Sequence, residues 1–174
     1  MELSCVLFGA DLAYIGLINV PQVYRFLDVL NQPSISSSLL MIDKNDILRL
    51  SEVSIFRGEE MSYIGSIRAN RRNVVYAYDK MPRMGDERER LTASRTQHPE
   101  IVEIFMDNST VVRGISSGFQ FKRDTKMFIA ISEVTVHDLD GKPDSLIGEK
   151  RPFLAVNTLH IIGYRIGEDI PTDG

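Results

Sequence analysis

The chain has 174 residues, 43% hydrophobic and 25% charged, with a formal net charge of −4. That length can bury a real core as one ordinary domain or two small ones, and the acidic balance opposes a strong electrostatic grip on nucleic-acid backbone. A single cysteine, Cys5, excludes a disulfide framework, a four-thiolate zinc site and a CxxC motif.

The N-terminus carries Glu2 where a signal peptide carries positive charge. No apolar run approaches the roughly 18 residues a membrane helix needs. A first strand and a reducing, cytoplasmic setting are expected. Residues 3–8 and 13–20 read as two strands joined by a turn at Gly9-Ala10-Asp11. Pro21 opens a short helix with Val23, Phe26, Leu27 and Leu30 on one apolar face, closed by Asn31-Gln32-Pro33. Residues 36–42 form a strand, 43–46 a tight turn and 47–56 a long strand. A turn at Arg57-Gly58-Glu59-Glu60 leads into strands 61–68 and 73–79. Residues 81–98 are polar and mixed in charge, a linker composition. Strands then follow at 100–107, 110–116, 127–137, 152–157 and 160–166, with a hairpin turn at 122–125 and another turn at 138–143. The acidic tail is 168–174.

One stretch occurs twice. Residues 48–56 read LRLSEVSIF and residues 129–137 read IAISEVTVH, an offset of 81. Gly16 matches Gly114 at an offset of 98, which also lays residues 2–7 on 100–105 without a gap. Residues 67–75 match 154–162 at an offset of 87, which sets Asn70 on Asn157. Three blocks in one order imply a tandem duplication. In each central block the apolar residues change parity at the Ser-Glu pair. Leu48 and Leu50 alternate with one phase, Val53 and Ile55 with the other, and Ile129, Ile131, Val134 and Val136 repeat the slip. A β-bulge at that pair would return all of them to one core, in the way a small closed barrel requires.

The expected architecture is all-β: barrel repeat 1 over 1–80, a linker over 81–98, barrel repeat 2 over 99–167 and the tail. Each repeat has five strands, and the chain has one short helix. The order of an apolar strand, a Gly-containing strand, a bent strand and then Ile67-Arg68-Ala69-Asn70 leading into Asn73-Val74-Val75 resembles the Sm-like barrel, one of the SH3-like barrels. Gly16, Gly114, Asp28 and Asn31 are similar to positions of that family's first motif. The chain is similar too to duplicated small bacterial domains without an assigned role. The departures are Ala69 in place of the motif's Gly, two extra residues before Asn73, and no Arg in Ala155-Val156-Asn157. The resemblance implies RNA contacts at Arg68 and Asn70.

Gly114-Ile115-Ser116-Ser117-Gly118 matches the nucleophile-elbow pattern, with Asp138 or Asp140 and His160 following. The elbow needs a helix after its Ser, and Phe119-Gln120-Phe121 alternates like a strand instead. The Asp-Leu-Asp-Gly run after His137 reads as a turn, since the other ligands of a calcium loop are missing. Asp107-Asn108-Ser109 begins a cyclic-dinucleotide pattern but has Val112 where its Gly belongs. Arg68, Asn70, Arg71, Arg72 and Tyr76 combine guanidinium charge with an aromatic ring, the chemistry that holds single-stranded nucleic acid. Two functions are therefore expected of the sequence. The first is a non-catalytic assembly module, not an enzyme, without cofactor or metal, that binds protein and homo-oligomerises through strand edges. The second is an Sm-like RNA-binding protein using the five residues just named.

Overall fold

A computed structural model describes residues 2–20, 25–32, 46–80, 99–117, 127–148 and 150–167. The protein is all-β, with one short helix among the described residues. The strands are β1 (Glu2–Phe8), β2 (Ala13–Asn19), β3 (Ile47–Arg57), β4 (Glu60–Asn70), β5 (Tyr76–Asp79), β6 (Pro99–Met106), β7 (Thr110–Ser117), β8 (Phe128–Asp138), β9 (Arg151–Asn157) and β10 (Ile161–Ile166), with helix α1 at Phe26–Asn31. Short 3-10 turns at Arg71–Asn73 and Thr158–His160 link β4 to β5 and β9 to β10. The expected strand 36–42, linker, hairpin at 122–125 and tail lie outside the described residues, as does most of the turn at 43–46. Among the described residues, no helix is long and apolar enough to cross a membrane.

The strands hydrogen-bond in the order β10-β6-β7-β8-β9-β5-β1-β2-β3-β4. The order is open rather than closed on itself: β5 takes the end of β9 as its second neighbour, not β4, so β4 and β10 are its two ends. Each resolved pairing is antiparallel, as locally connected strands favour.

The described residues fall into two compact units. Unit 1 holds 2–20, 25–32, 46–80, 127–129 and 155–159. Its core comprises Cys5, Val6, Leu7, Ile18, Phe26, Leu30, Leu48, Val53 and all of β5. Unit 2 holds 99–117, 130–148, 150–154 and 160–167, around Val102, Ile104, Val112, Ile131, Val134, Ile147 and Leu154.

The parity slip is a bulge in both long strands. Opposite β2, Ile15 pairs with Ser54 and Leu17 with Ser51, so Gly16 alone faces Glu52 and Val53. Opposite β7, Arg113 pairs with Thr135 and Ile115 with Ser132, so Gly114 alone faces Glu133 and Val134. Two residues against one is the count that defines a bulge. Glu52 and Glu133 take the left-handed backbone it needs, at φ 51° and 53°. The bulge buries Leu48, Leu50 and Val53 in one strand, and Ile131, Val134 and Val136 in the other. Ile55 and Ile129 stay half-buried, while Phe128, grouped with unit 1, is buried.

The glycines matter through close approach. A Cβ on Gly16 would stand 3.0 Å from Val53 Cγ2 and 3.1 Å from Ser51 O. One on Gly114 would stand 2.6 Å from both Ile131 Cγ2 and Ser132 O. The first-strand alignment needs a correction. Gly16 pairs with Cys5, and Gly114 with Val102, an offset of 97 there rather than 98. The physical reason is the connecting loop, residues 9–12 in one case and 106–110 in the other, one residue longer. The helix face also differs from expectation: Phe26, Val29 and Leu30 are buried, and Leu27 is not fully so.

Candidate functional site

Two surfaces bear on function: the end of β4 with the turn after it, and the outer edges of the strand order. The first carries the sequence-derived candidates. β4 delivers Arg68 and Asn70, the 3-10 turn holds Arg71 and Arg72, and β5 begins at Tyr76. Arg71 turns inward. Its Nε donates to Asp46 Oδ1 at 3.0 Å, and one terminal nitrogen donates to Leu30 O and Asn31 O, each at 2.9 Å. These are the last carbonyls of α1, which have no partner within the helix. Arg71 therefore caps α1, and its side chain is only 12% exposed. Its backbone N–H also donates to Asp46 O at 2.8 Å.

Arg72 Nε donates to Asp46 Oδ2 at 2.8 Å, so one carboxylate serves two guanidiniums. The hydrogen bonds from Arg72 and Arg71 hold the Asp46 carboxyl below the usual aspartate range. Asn70 caps the turn, its Oδ1 accepting from Arg72 N at 3.0 Å. Arg68 stands exposed on β4. Tyr76 is 1% exposed, its ring centroid 4.8 Å from that of Phe8. The turn thus brings Asn70, Arg71 and Arg72 together around Asp46, while Tyr76 lies in the core.

Sequence matching paired Asn157 with Asn70 without giving it a role. Its Oδ1 accepts from Leu159 N at 3.0 Å, the same cap on the next 3-10 turn. It is also fully buried in unit 1. Its Nδ2 donates to Val74 O at 2.7 Å and to Arg71 O at 3.3 Å, and its backbone N–H donates to Val75 O at 2.9 Å. Beside it Tyr76 pairs with Val156 and Ala77 with Ala155. Asn31, the other asparagine singled out, bonds the Phe128 backbone twice: Nδ2 donates to its O at 3.0 Å, and Oδ1 accepts from its N–H at 2.9 Å.

The second surface is the pair of end strands. β4 exposes Met61 (63%), Tyr63 (69%) and Ile64, and β10 exposes Ile162 (73%) and Tyr164. Among the described residues neither outer edge has a strand beside it. Unblocked edges with apolar side chains are templates for a further strand.

The remaining motifs resolve into strand and turn. Ser116 is buried inside β7, opposite Glu100. Asp138 Oδ1 accepts from Asp140 N at 3.0 Å and from Lys142 N at 2.8 Å, holding the turn that Gly141 completes at φ +83°. His160 Nδ1 lies 2.7 Å from Asp107 Oδ2, at the start of β10. Among the described residues no three His, Cys, Asp or Glu side chains gather as a metal site. No protein-family model matches the chain, and neither curated proteins nor solved structures yield a match.

Proposed function

We propose that the protein is a non-catalytic assembly module, a tandem pair of five-stranded Sm-like (SH3-like) units that joins further copies of itself edge to edge. The single observation that carries this reading is the pairing of β5 with residues 155–157 inside unit 1. There a fifth strand of the first segment takes as its neighbour a fourth strand of the second. The tandem reading has its own support. Within the strand order, β5-β1-β2-β3-β4 and β10-β6-β7-β8-β9 are the same order, fifth-first-second-third-fourth, written twice. The bulges at Glu52 and Glu133 and the Asn-capped turns after β4 and β9 recur at matching places.

By that correspondence the ends of the order, among the described residues, are a fourth strand, β4, and a fifth strand, β10. They are the same two kinds of edge that already meet at β5 and β9. A head-to-tail joint of β4 on one molecule with β10 on the next repeats the internal pairing, with the end of β4 laid beside Ile162 of β10. Such heterologous joints form rings when the rotation closes. The lone, buried Cys5 suits a reducing cytoplasm.

Sedimentation velocity from low to high protein concentration tests the proposal. The expected result is a mass above the 19.7 kDa of one chain that rises with concentration. A strict monomer throughout overturns it. RNA titration supplies the contrast: salt-sensitive binding of short poly-U by a monomer, weakened by Arg68→Ala, would favour the Sm-like RNA reading in its place.

A further inference from the structure

We infer that Asn70 is the docking latch of the β4 edge, reaching across to the backbone of a second copy of this chain just ahead of that copy's β10. The inference rests on the edge-to-edge reading above and adds to it the register and the residue that sets it.

The observation is a residue seen in two states of use. Asn70 and Asn157 end equivalent strands, and each ties its Oδ1 to the N–H two residues on, at 3.0 Å in both cases. That bond fixes the side-chain amide, so Nδ2 points away from the residue's own 3-10 turn. In Asn157, Nδ2 is spent on Val74 O and Arg71 O, the carbonyls of the turn that leads into β5. Its backbone N–H is spent on Val75 O. Asn70 makes the same cap but is exposed, and no described residue accepts from its Nδ2. A donor held in place by one bond and left open on the other is preorganised for a carbonyl that arrives with a partner.

The offset of 87 names that carbonyl. Arg71, Val74, Val75 and Tyr76 correspond to Thr158, Ile161, Ile162 and Gly163. In the joint, Asn70 Nδ2 donates to the carbonyl of Ile161 of the partner subunit, and Asn70 N–H donates to the carbonyl of Ile162 of the partner subunit. Ala69 then lies opposite Gly163 of the partner subunit, as Val156 lies opposite Tyr76. The latch also explains selectivity for this chain. A bare strand edge accepts any strand, whereas Nδ2 is satisfied only by a strand that follows a tight turn with its carbonyl turned outward.

Asn70→Asp is the discriminating variant. The carboxylate still accepts from Arg72 N–H and keeps the turn, but it has no N–H to donate and sets an oxygen against the partner's carbonyl. Asn70→Ser is the second variant, able to cap the turn through its hydroxyl but too short to reach across. Sedimentation velocity on both, beside wild type, reads the dissociation constant of the joint, while thermal melting of the dilute protein reads the fold. The expected result is a dissociation constant raised about ten-fold or more, the effect of one hydrogen bond, with the melting temperature unchanged. Wild type that associates while both variants associate within two-fold of it overturns the latch and leaves the edge reading intact. Wild type that never associates overturns the edge reading and the latch together.

Discussion

Replacing Gly114 by Ala measures how tightly the second bulge is closed, and Gly16→Ala is its internal control. Neither glycine has a left-handed backbone, so the cost is one of space. At Gly114 the added methyl would stand 2.6 Å from Ser132 O and 2.6 Å from Ile131 Cγ2, and 3.2 Å from Val134 Cγ2. Ordinary contact begins at 3.4 Å, so the methyl must gain about 0.8 Å against a carbonyl of the neighbouring strand. That carbonyl is held by the ladder and cannot rotate away. At Gly16 the same three contacts are 3.0, 3.1 and 3.2 Å, and a few tenths of an ångström suffice. Overpacking of the first kind costs about 3 kcal/mol and of the second about 1 kcal/mol. Each Ala recovers about 0.5–1 kcal/mol of chain entropy that Gly forfeits in a strand. The net expectation is a loss of about 2–2.5 kcal/mol for Gly114→Ala and near zero for Gly16→Ala. With a urea slope of about 2 kcal/mol/M, the Gly114→Ala midpoint falls by about 1 M, read by circular dichroism. Equal midpoints for the two variants, or a larger fall for Gly16→Ala, would refute the reasoning.

Cys5 is fully buried against Gly16 O, and burial, helped by the negative charge of Asp79, pushes its thiol far above the usual range. It should therefore stay unlabelled by a disulfide thiol reagent in buffer and react fully in urea; rapid labelling of the native protein would contradict the packing of β1 on β2. Asp46 gives a pH signature. Its folded pKa is depressed, so its contribution to stability is present above about pH 4 and is lost as pH falls through the folded value. Urea midpoints of wild type and Asp46→Asn should differ at neutral pH and converge in acid, and a gap that holds constant down the titration would mean that the two arginines do not depend on that charge.

Much of the fold was legible because strands print their faces at period two, and a break in that period has few causes. The slip at Ser51-Glu52 and Ser132-Glu133 announced the bulges. The matches of Gly16 with Gly114 and of Asn70 with Asn157 marked the repeat, and only the structure shows the close backbone approach and the capped turns at those places. The roles of Arg71 and Tyr76 were not legible, for two different reasons. Arg71 caps carbonyls 40 and 41 positions earlier in sequence, and no local pattern encodes such a partner. Tyr76 belongs to a run, Val74-Val75-Tyr76-Ala77-Tyr78, that is apolar without alternation, which is the mark of a strand covered on both faces. Read beside its arginines, it took the look of a stacking platform; read as a run, it would have given the central strand that pairs with both β1 and β9.

The bulge ties these points to the core. A non-glycine residue in the left-handed region costs about 1–2 kcal/mol, and the chain meets that cost at both Glu52 and Glu133. Straightening the strand with all its residues kept would spare the strain but turn Val53 and everything after it to the opposite face. Burial of Val53, or of Val134 and Val136, is worth about 1.5–3 kcal/mol for each side chain. In β8, with two such residues beyond the bulge, the bulge wins clearly. In β3 the balance is closer, because Ile55 is only half-buried. What decides β3 is β2: across the bulge its pairing steps from Leu17 opposite Ser51 to Ile15 opposite Ser54, so without the bulge one half of that ladder slips by one position. The β3–β4 ladder needs no such help, since Ile47 opposite Asn70 and Arg57 opposite Glu60 stand in one register on either side. The strain at Glu52 is thus held in place by the burial of Val53 beside it and by the β2 pairing it keeps in register.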